Sequence, residues 1–339
     1  MAILGNQTSS VEESSMQSQA AREEIRLGLT ARPRRISSRY FYDARGSEIF
    51  RAISELPEYY LTASELEILQ THAQAIAAIT ADGENLPLAV LEAGPGDARK
   101  ASLLVRALTE RTANTRYAAI DISQTAVNSA VSSMRAALHI EALGFAGDYR
   151  ELLPQIGRLW PDHRKLLLFL GSSIGNYSSE AAIQLLRTMR ESLALGDYAL
   201  IGFDLKKDES VLLPAYSDKL GLTREFNLNL LRRLNLELNG RFNVNDFEHR
   251  AVYNQELGAM QSFLVSTVDQ EVRIEDLDLT ISLREGETIH TEDSKKYVLA
   301  EIQGLAVGAG FKPVQHFVDA AGYFMCSLWQ AMPVNDSCS

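Results

Sequence analysis

The chain has 339 residues, 46% of them apolar and 23% charged, with a formal net charge of −11 at neutral pH. That is enough apolar material for one large core or two ordinary ones, and the acidic balance speaks against a nucleic-acid surface, since no basic cluster stands out beyond Arg32, Arg34, Arg35 and Arg39. Cys326 and Cys338 make neither a metal-ligand spacing nor a disulfide framework, Met1 to Ser10 lacks the character of a secretory signal, and no apolar run reaches membrane-span length, so a soluble cytoplasmic protein without a metal site is expected.

Residues 1 to about 20, rich in Ser, Gln and Glu, read as a loose tail, and 1–10 belong to no domain. A helix over 20–29 precedes the basic turn Arg32-Pro-Arg-Arg35. The next stretch holds Tyr40, Phe41, Tyr42, Phe50, Tyr59 and Tyr60. Core packing accounts for any one of these rings, but the cluster exceeds what one amphipathic face needs and can also line a pocket for a small polar aromatic. A helix over 63–81 is expected to start at Thr62 as N-cap, with Glu65 closing a capping box.

Strands and helices then alternate. Strands are expected at 88–91, 116–121, 142–148, 165–171 and 198–204, with helices over 98–108, 124–138 and 179–193. Continuous apolar strands at this spacing imply a parallel sheet covered on both faces. After Asp204 the rhythm changes. One Leu- and Asn-rich helix spans 210–238, antiparallel strands follow at 261–268 and 276–283, a helix covers 294–310, and an antiparallel pair at 314–318 and 324–329 ends the chain. The division expected is a discontinuous lobe over 11–62 and 206–295, a nucleotide-binding core over 63–205 and 296–332, and a tail over 333–339.

The stretch Val90-Leu-Glu-Ala-Gly-Pro-Gly-Asp97 falls at a strand-to-helix turn. Glycines there let the backbone approach a ligand, and the helix N-terminus supplies unpaired N–H groups. Asp121, ending the second strand, stands where a carboxylate accepts ribose hydroxyls in an open parallel sheet. Asp148 ends the third strand beside Tyr149, a pair suited to adenine, although either aspartate can equally be a helix N-cap. A dinucleotide fingerprint would need a third glycine where Arg99 stands. The looser Glu-x-Gly-x-Gly turn of S-adenosylmethionine enzymes is satisfied by Glu92, Gly94 and Gly96.

From about Arg22 to Gln330 the chain resembles the histidine-specific N-α-methyltransferases of ergothioneine biosynthesis, which convert L-histidine to its trimethylated betaine, hercynine. The resemblance rests on Tyr40-Phe-Tyr-Asp-Ala-Arg-Gly-Ser-Glu-Ile-Phe50, Leu56-Pro-Glu-Tyr-Tyr60, Phe169-Leu-Gly-Ser-Ser-Ile-Gly-Asn176, Gly202-Phe-Asp-Leu-Lys-Lys-Asp208, Ala215-Tyr216, Phe226-Asn227 and Gly286-Glu-Thr-Ile-His-Thr-Glu-Asp-Ser294. It implies a Rossmann-like α/β methyltransferase fold, with a parallel sheet and an antiparallel C-terminal strand, plus a second α+β substrate-binding lobe. The cofactor implied is S-adenosyl-L-methionine, with S-adenosyl-L-homocysteine as product, and the enzyme is expected to be a monomer acting on a free amino acid.

The same resemblance implies roles for single residues. Gly94 and Lys100 belong to the cofactor turn, Asp121 holds the ribose, and Asp148 with Tyr149 contacts the adenine. Asn176 and Tyr216 hold the substrate's carboxylate and amino group, and Tyr59 lies by the reacting amine. Glu292 and Ser294 recognise the imidazole, with Tyr42, Phe50 and Phe226 around the ring. Two departures stand out: Ser262 occupies a position that carries Met in the family, and Gln315-His-Phe-Val-Asp319 lacks the paired tryptophans common there. An α-N-methyltransferase of another aromatic amino acid, tryptophan first, and a non-catalytic nucleotide-binding module are the two alternative readings.

Overall fold

The computed structural model describes residues 16–81, 86–112 and 114–333. The tails expected at 1–10 and, apart from Pro333, at 333–339 lie outside the described residues, as does Cys338. In chain order the first elements are α1 (Gln19–Thr30), β1 (Arg34–Arg35), α2 (Ala44–Ser54), α3 (Tyr60–Thr80), β2 (Leu88–Ala93) and α4 (Arg99–Thr109). Next come β3 (Thr115–Asp121), α5 (Gln124–Leu138), β4 (Glu141–Ala146), α6 (Tyr149–Ile156), β5 (Arg164–Phe169), α7 (Ser179–Glu191) and β6 (Tyr198–Asp204). They are followed by α8 (Glu209–Tyr216), α9 (Leu222–Leu238), β7 (Phe247–Asn254), β8 (Ala259–Ser266), β9 (Gln270–Ile274) and β10 (Leu279–Leu283). The last are β11 (Thr288–Lys295), α10 (Leu299–Gly308), β12 (Phe311–Val318) and β13 (Phe324–Ala331). Among the described residues no helix is long and apolar enough to cross a membrane.

The chain forms two compact units. One comprises Tyr60–Lys207 and the described residues from Lys295 on, and is built on a seven-stranded sheet in the order β12-β13-β6-β5-β2-β3-β4. Strands β2 to β6 run parallel, while β13 is antiparallel to β6 and β12 to β13. This is the Rossmann-like arrangement expected. Strands β2 and β6 are buried along their whole length, as a sheet covered on both faces requires. On one face Leu167, Phe169, Ile201 and Phe203 pack with Leu185 and Met189 of α7 and Ile302 of α10. From β2 the chain moves outward through β3 to β4, then returns to β5 on the other side of β2, and the crevice at such a reversal is where open α/β sheets bind ligands.

The other unit comprises the described residues up to Tyr59 and Asp208–Ser294. Its four-stranded sheet has the order β1-β11-β8-β7, with the hairpin β9–β10 as a separate pair. Leu230, Leu231 and Leu234 of α9 share a core with Phe247, Leu264 and Ile289 of the sheet and with Ile25 and Leu29 of α1.

Several local expectations fail for physical reasons. Helix α3 begins at Tyr60, so Thr62 is inside it and Glu65 closes no capping box. The third parallel strand stops at Ala146, and Asp148 caps the short helix α6 that periodicity missed. The single helix expected over 210–238 is broken after Tyr216, before Gly221 (φ +74°), into α8 and α9. Strands β7, β9 and β11 were not anticipated, and Ser294 lies on β11 rather than opening a helix, which starts only at Leu299. Polar strands such as β11 carry weak alternation, so their sequence resembles loop or helix until a partner strand is present.

The end of β6 is anchored by a fully buried ionic cluster. Asp204 accepts the Tyr60 hydroxyl at 2.8 Å and the Lys296 ammonium at 2.7 Å, and it pairs with Lys207. Asp204 and Lys296 are both 0% exposed. Burial lowers the Lys207 pKa against the opposing pull of Asp204, and the ammonium also lies 4.4 Å from the Tyr60 ring centre. Removing the carboxylate takes away the counter-charge facing two buried lysines, so Asp204→Ala is expected to destabilise the protein by about 3–5 kcal/mol. Urea unfolding followed by circular dichroism checks this, and an unchanged midpoint would show that the lysines do not depend on Asp204.

Candidate functional site

The turn after β2 has the backbone its glycines dictate. Gly94 and Gly96 have φ of +75° and +55°, and a Cβ added to either would meet nothing within 4 Å. Positive φ explains why glycine stands there, and the open space in front is what a ligand needs. The Gly94 N–H donates to the Ile120 carbonyl at 2.8 Å, tying the turn to β3. Helix α4 follows Ala98, itself at φ +59°, whose side chain offers no cap. Asp97 accepts the Arg99 N–H, and the first turn of α4 remains a favourable site for negative charge.

Glu92 is 2% exposed, and its carboxyl accepts the Tyr117 hydroxyl at 2.5 Å. Burial raises its pKa to about 8, against the lowering effects of that hydrogen bond and of Lys100. The acidic residue of the Glu-x-Gly-x-Gly turn thus braces the turn from behind. Asp121 ends β3 and accepts the Ser123 N–H at 2.8 Å through Oδ1. Burial pushes its carboxyl up to about 6.

Asp148 acts as the N-cap of α6, accepting the Arg150 N–H at 2.9 Å, and also pairs with the Arg150 guanidinium. Its position is therefore a helix start rather than a strand end. Tyr149 packs edge-on against Phe169, with ring centres 5.5 Å apart, and its hydroxyl shares a hydrogen bond with that of Tyr177. Burial drives the Tyr149 phenol far above its usual value, so it stays protonated. Asn176 closes the 3-10 turn Ser173–Asn176. That loop is held by the Ser172 hydroxyl, which accepts the Asp204 N–H at 2.9 Å, and by Gly175, where a Cβ would fall 2.9 Å from the Lys295 carbonyl oxygen.

Sequence reasoning missed Glu65. Its side chain is fully buried and accepts the Lys100 ammonium at 2.6 Å and the Gly171 N–H at 2.9 Å. A signal was present: Glu65 interrupts the stripe formed by Leu61, Ile68, Leu69 and Ala73, where an amphipathic helix would carry an apolar residue. Taken together, an open glycine turn, a helix start with a lysine in its first turn, and an acid at the end of β3 fit a nucleoside that carries a charged tail, as S-adenosylmethionine does.

In the other unit four of the expected aromatic residues form one cluster. Ring centres are 5.6 Å apart for Tyr42–Phe50, 5.7 Å for Tyr42–Phe226, 5.7 Å for Phe50–Phe226 and 6.0 Å for Phe50–Tyr59, mostly edge to face. Such offset geometry is the favourable one for aromatic quadrupoles. Phe41 stacks on Phe226 at 4.5 Å and backs the cluster. The Tyr216 hydroxyl shares a 2.7 Å hydrogen bond with the Ser294 hydroxyl, both buried. Glu292 is half-buried on β11, not displayed at the surface as Glu285 is. Ser262, 1% exposed on β8, is enclosed, and its carbonyl accepts the Thr291 hydroxyl. The one Thr291 hydroxyl proton is shared with the Asn227 side-chain oxygen, and the Asn227 amide N–H donates to the Thr223 carbonyl, so a buried polar chain that sequence reasoning did not anticipate links α9, β8 and β11.

Residues 21–331 match the family model described as "Histidine-specific methyltransferase, SAM-dependent". Histidine N-alpha-methyltransferase of Mycolicibacterium smegmatis is 35% identical, with the alignment covering 91% of this chain and 94% of that protein. Histidine N-alpha-methyltransferase of Mycobacterium tuberculosis is 34% identical over the same shares. Ergothioneine biosynthesis protein 1 of Neurospora crassa is 32% identical over 84% of this chain but 32% of its own greater length. Among solved structures, a putative methyltransferase from Thermobifida fusca superposes with a TM-score of 0.45 at 12% identity, covering 86% of this chain and 90% of that one. The fold assignment rests on strand order, not on that overlap.

The raised Asp121 pKa has a thermodynamic consequence. Because the folded state holds this proton more tightly than the unfolded chain, Asp121 costs stability as pH rises from about 4 to about 6, and the full cost is present above that. Asp121→Asn is therefore expected to stabilise the ligand-free protein at pH 7.5 by about 1–2 kcal/mol, partial solvent exposure discounting the shift. At pH 4 the gain should vanish. Thermal melts of both proteins at the two pH values check this, and an equal difference at both would remove the titration of Asp121 as its cause.

Proposed function

Since the chain belongs to the histidine-specific, S-adenosylmethionine-dependent methyltransferase family, we propose that it methylates the α-amino nitrogen of L-histidine, three times in succession, ending at the betaine hercynine. S-adenosylmethionine supplies an electrophilic methyl group on a sulfonium and leaves as S-adenosylhomocysteine. In this reading Gly94 and Gly96 clear the backbone for the cofactor, Lys100 lies at its charged tail, Asp121 accepts the ribose hydroxyls, and Tyr149 with the capping Asp148 lies at the adenine. Glu92, hydrogen-bonded to Tyr117, supports the turn.

The observation that carries the substrate reading is the cluster of Tyr42, Phe50, Tyr59 and Phe226 in the unit that also holds the Tyr216–Ser294 pair and Glu292. Aromatic edges and faces accommodate a flat imidazole, and polar groups select it. Glu292 can accept a hydrogen bond from an imidazole N–H, an interaction that an amino acid lacking that donor cannot make. Tyr216, in the same unit, is assigned to the amino group of the substrate. Tyr59, a hydroxyl that both donates and accepts, is assigned to orienting the amine lone pair and passing its proton on. The sulfonium is already activated, so the protein's contribution is alignment and an unprotonated amine. As methyl groups accumulate, the ring faces of Tyr59 and Phe226 stabilise the growing ammonium.

A methylation assay over the twenty amino acids, read by mass spectrometry, tests this directly. Trimethylated histidine is expected to dominate, and preferential methylation of tryptophan or another aromatic amino acid would reassign the substrate. In the same assay Glu292→Ala should raise KM for histidine by about 10- to 100-fold, the value of a lost charged hydrogen bond, with cofactor affinity unchanged. Wild-type histidine kinetics in that variant would remove Glu292 from the site.

A further inference from the structure

Glu65 lies outside every motif that pointed to the cofactor, yet three parts of the cofactor-turn unit are shaped around its side chain. On β6, a Cβ at Gly202 would fall 2.3 Å from Glu65 Oε1, so the strand accommodates the carboxylate only because that position lacks one. On the loop after β5, the Gly171 N–H donates to both carboxylate oxygens, at 3.0 and 2.9 Å. In the first turn of α4, the Lys100 ammonium donates at 2.6 Å. A carboxylate buried on an otherwise apolar helix face requires such partners.

The effect on Lys100 is the functional one. Burial is the largest single effect and lowers its pKa, but the Glu65 carboxylate, together with Glu92 and Cys326, opposes it and the net shift is upward, so the ammonium stays charged. Its place is also defined, because a Cβ at Gly171 would lie 3.6 Å from Lys100 Nζ. An ammonium has three donors, and the pairing with Glu65 uses one. The same nitrogen can therefore also donate to an acceptor brought to the start of α4, where a helix favours negative charge.

We propose that Glu65 is a positioning residue: by holding the Lys100 ammonium against the Gly171 loop, it makes Lys100 the receptor for the carboxylate of the cofactor's amino-acid tail. The proposal rests on the cofactor reading above. Its signature is ligand-selective, since S-adenosylhomocysteine carries that tail and 5′-methylthioadenosine, with the same nucleoside and thioether, does not. A purely structural role for Glu65 would affect both ligands alike.

Titration calorimetry of both ligands against the full chain, Glu65→Gln, Lys100→Met and the double variant tests it. Glu65→Gln keeps the shape and removes the charge. It should weaken S-adenosylhomocysteine by about tenfold or more, as expected for a charge-assisted contact, and methylthioadenosine by less than about twofold. In the Lys100→Met background the Glu65 substitution should add nothing further. Equal losses for both ligands, no loss for either, or a full additional loss in the double variant would overturn the role. If Glu65→Gln does not fold, Glu65→Asp, which shortens the reach by one methylene, must show the same selectivity in smaller measure. Failure of the unaltered chain to bind S-adenosylhomocysteine would overturn the cofactor assignment and this role with it. Normal binding by the unaltered chain with unselective variants overturns the role of Glu65 alone.

Discussion

A carboxylate sealed inside a protein must be met by cations and N–H groups, because the cost of burying it unpaired exceeds the net stability of most domains. Glu65 imposes that requirement on α3, α4, β6 and the loop after β5 at once. Asp204 imposes it again at the end of β6, gathering Tyr60, Lys207 and Lys296. Both clusters stand toward the C-terminal ends of the parallel strands, where the reversal of strand order leaves a crevice. In both clusters each partner has a defined position.

The cofactor turn shows how such a site departs from the best choice for stability. Asp121 and Glu92 are carboxyls whose burial raises their pKa to about 6 and about 8. Glu92 offsets part of that cost with the Tyr117 hydroxyl, and Asp121 with the Ser123 N–H. Two acids at the ends of adjacent strands therefore differ in role because their partners differ. Glu92 is tied to β3 through Tyr117, and Asp121 is the carboxylate proposed above for the ribose hydroxyls.

The other unit uses different physics. Its aromatic cluster is held by edge-to-face contacts among Tyr42, Phe50, Tyr59 and Phe226, with Phe41 stacked behind. Rings give shape and a surface suited to a cation, but little discrimination among flat ligands. Under the proposed function, discrimination falls to the polar groups on α8 and β11, where Tyr216 meets Ser294. Specificity for an imidazole is the role proposed for Glu292, on the same strand as Ser294 and Thr291.

The amino-acid sequence by itself determined the alternation of buried strands and amphipathic helices. Helix α5 and strand β6 have the bounds that periodicity predicts, because apolar spacing is a local property. The glycine turn was legible for the same reason, since positive φ at Gly94 and Gly96 demands a particular residue type. Polar strands such as β11 were not, because their stability comes from a partner strand distant in sequence. Only the tertiary structure decided what Glu65 does. It is 35 residues from Lys100 and 106 from Gly171, and a local reading made it a helix cap. No periodicity connects such positions; what joins them is the requirement that a buried charge be neutralised, and that requirement acts only once the chain has folded around it.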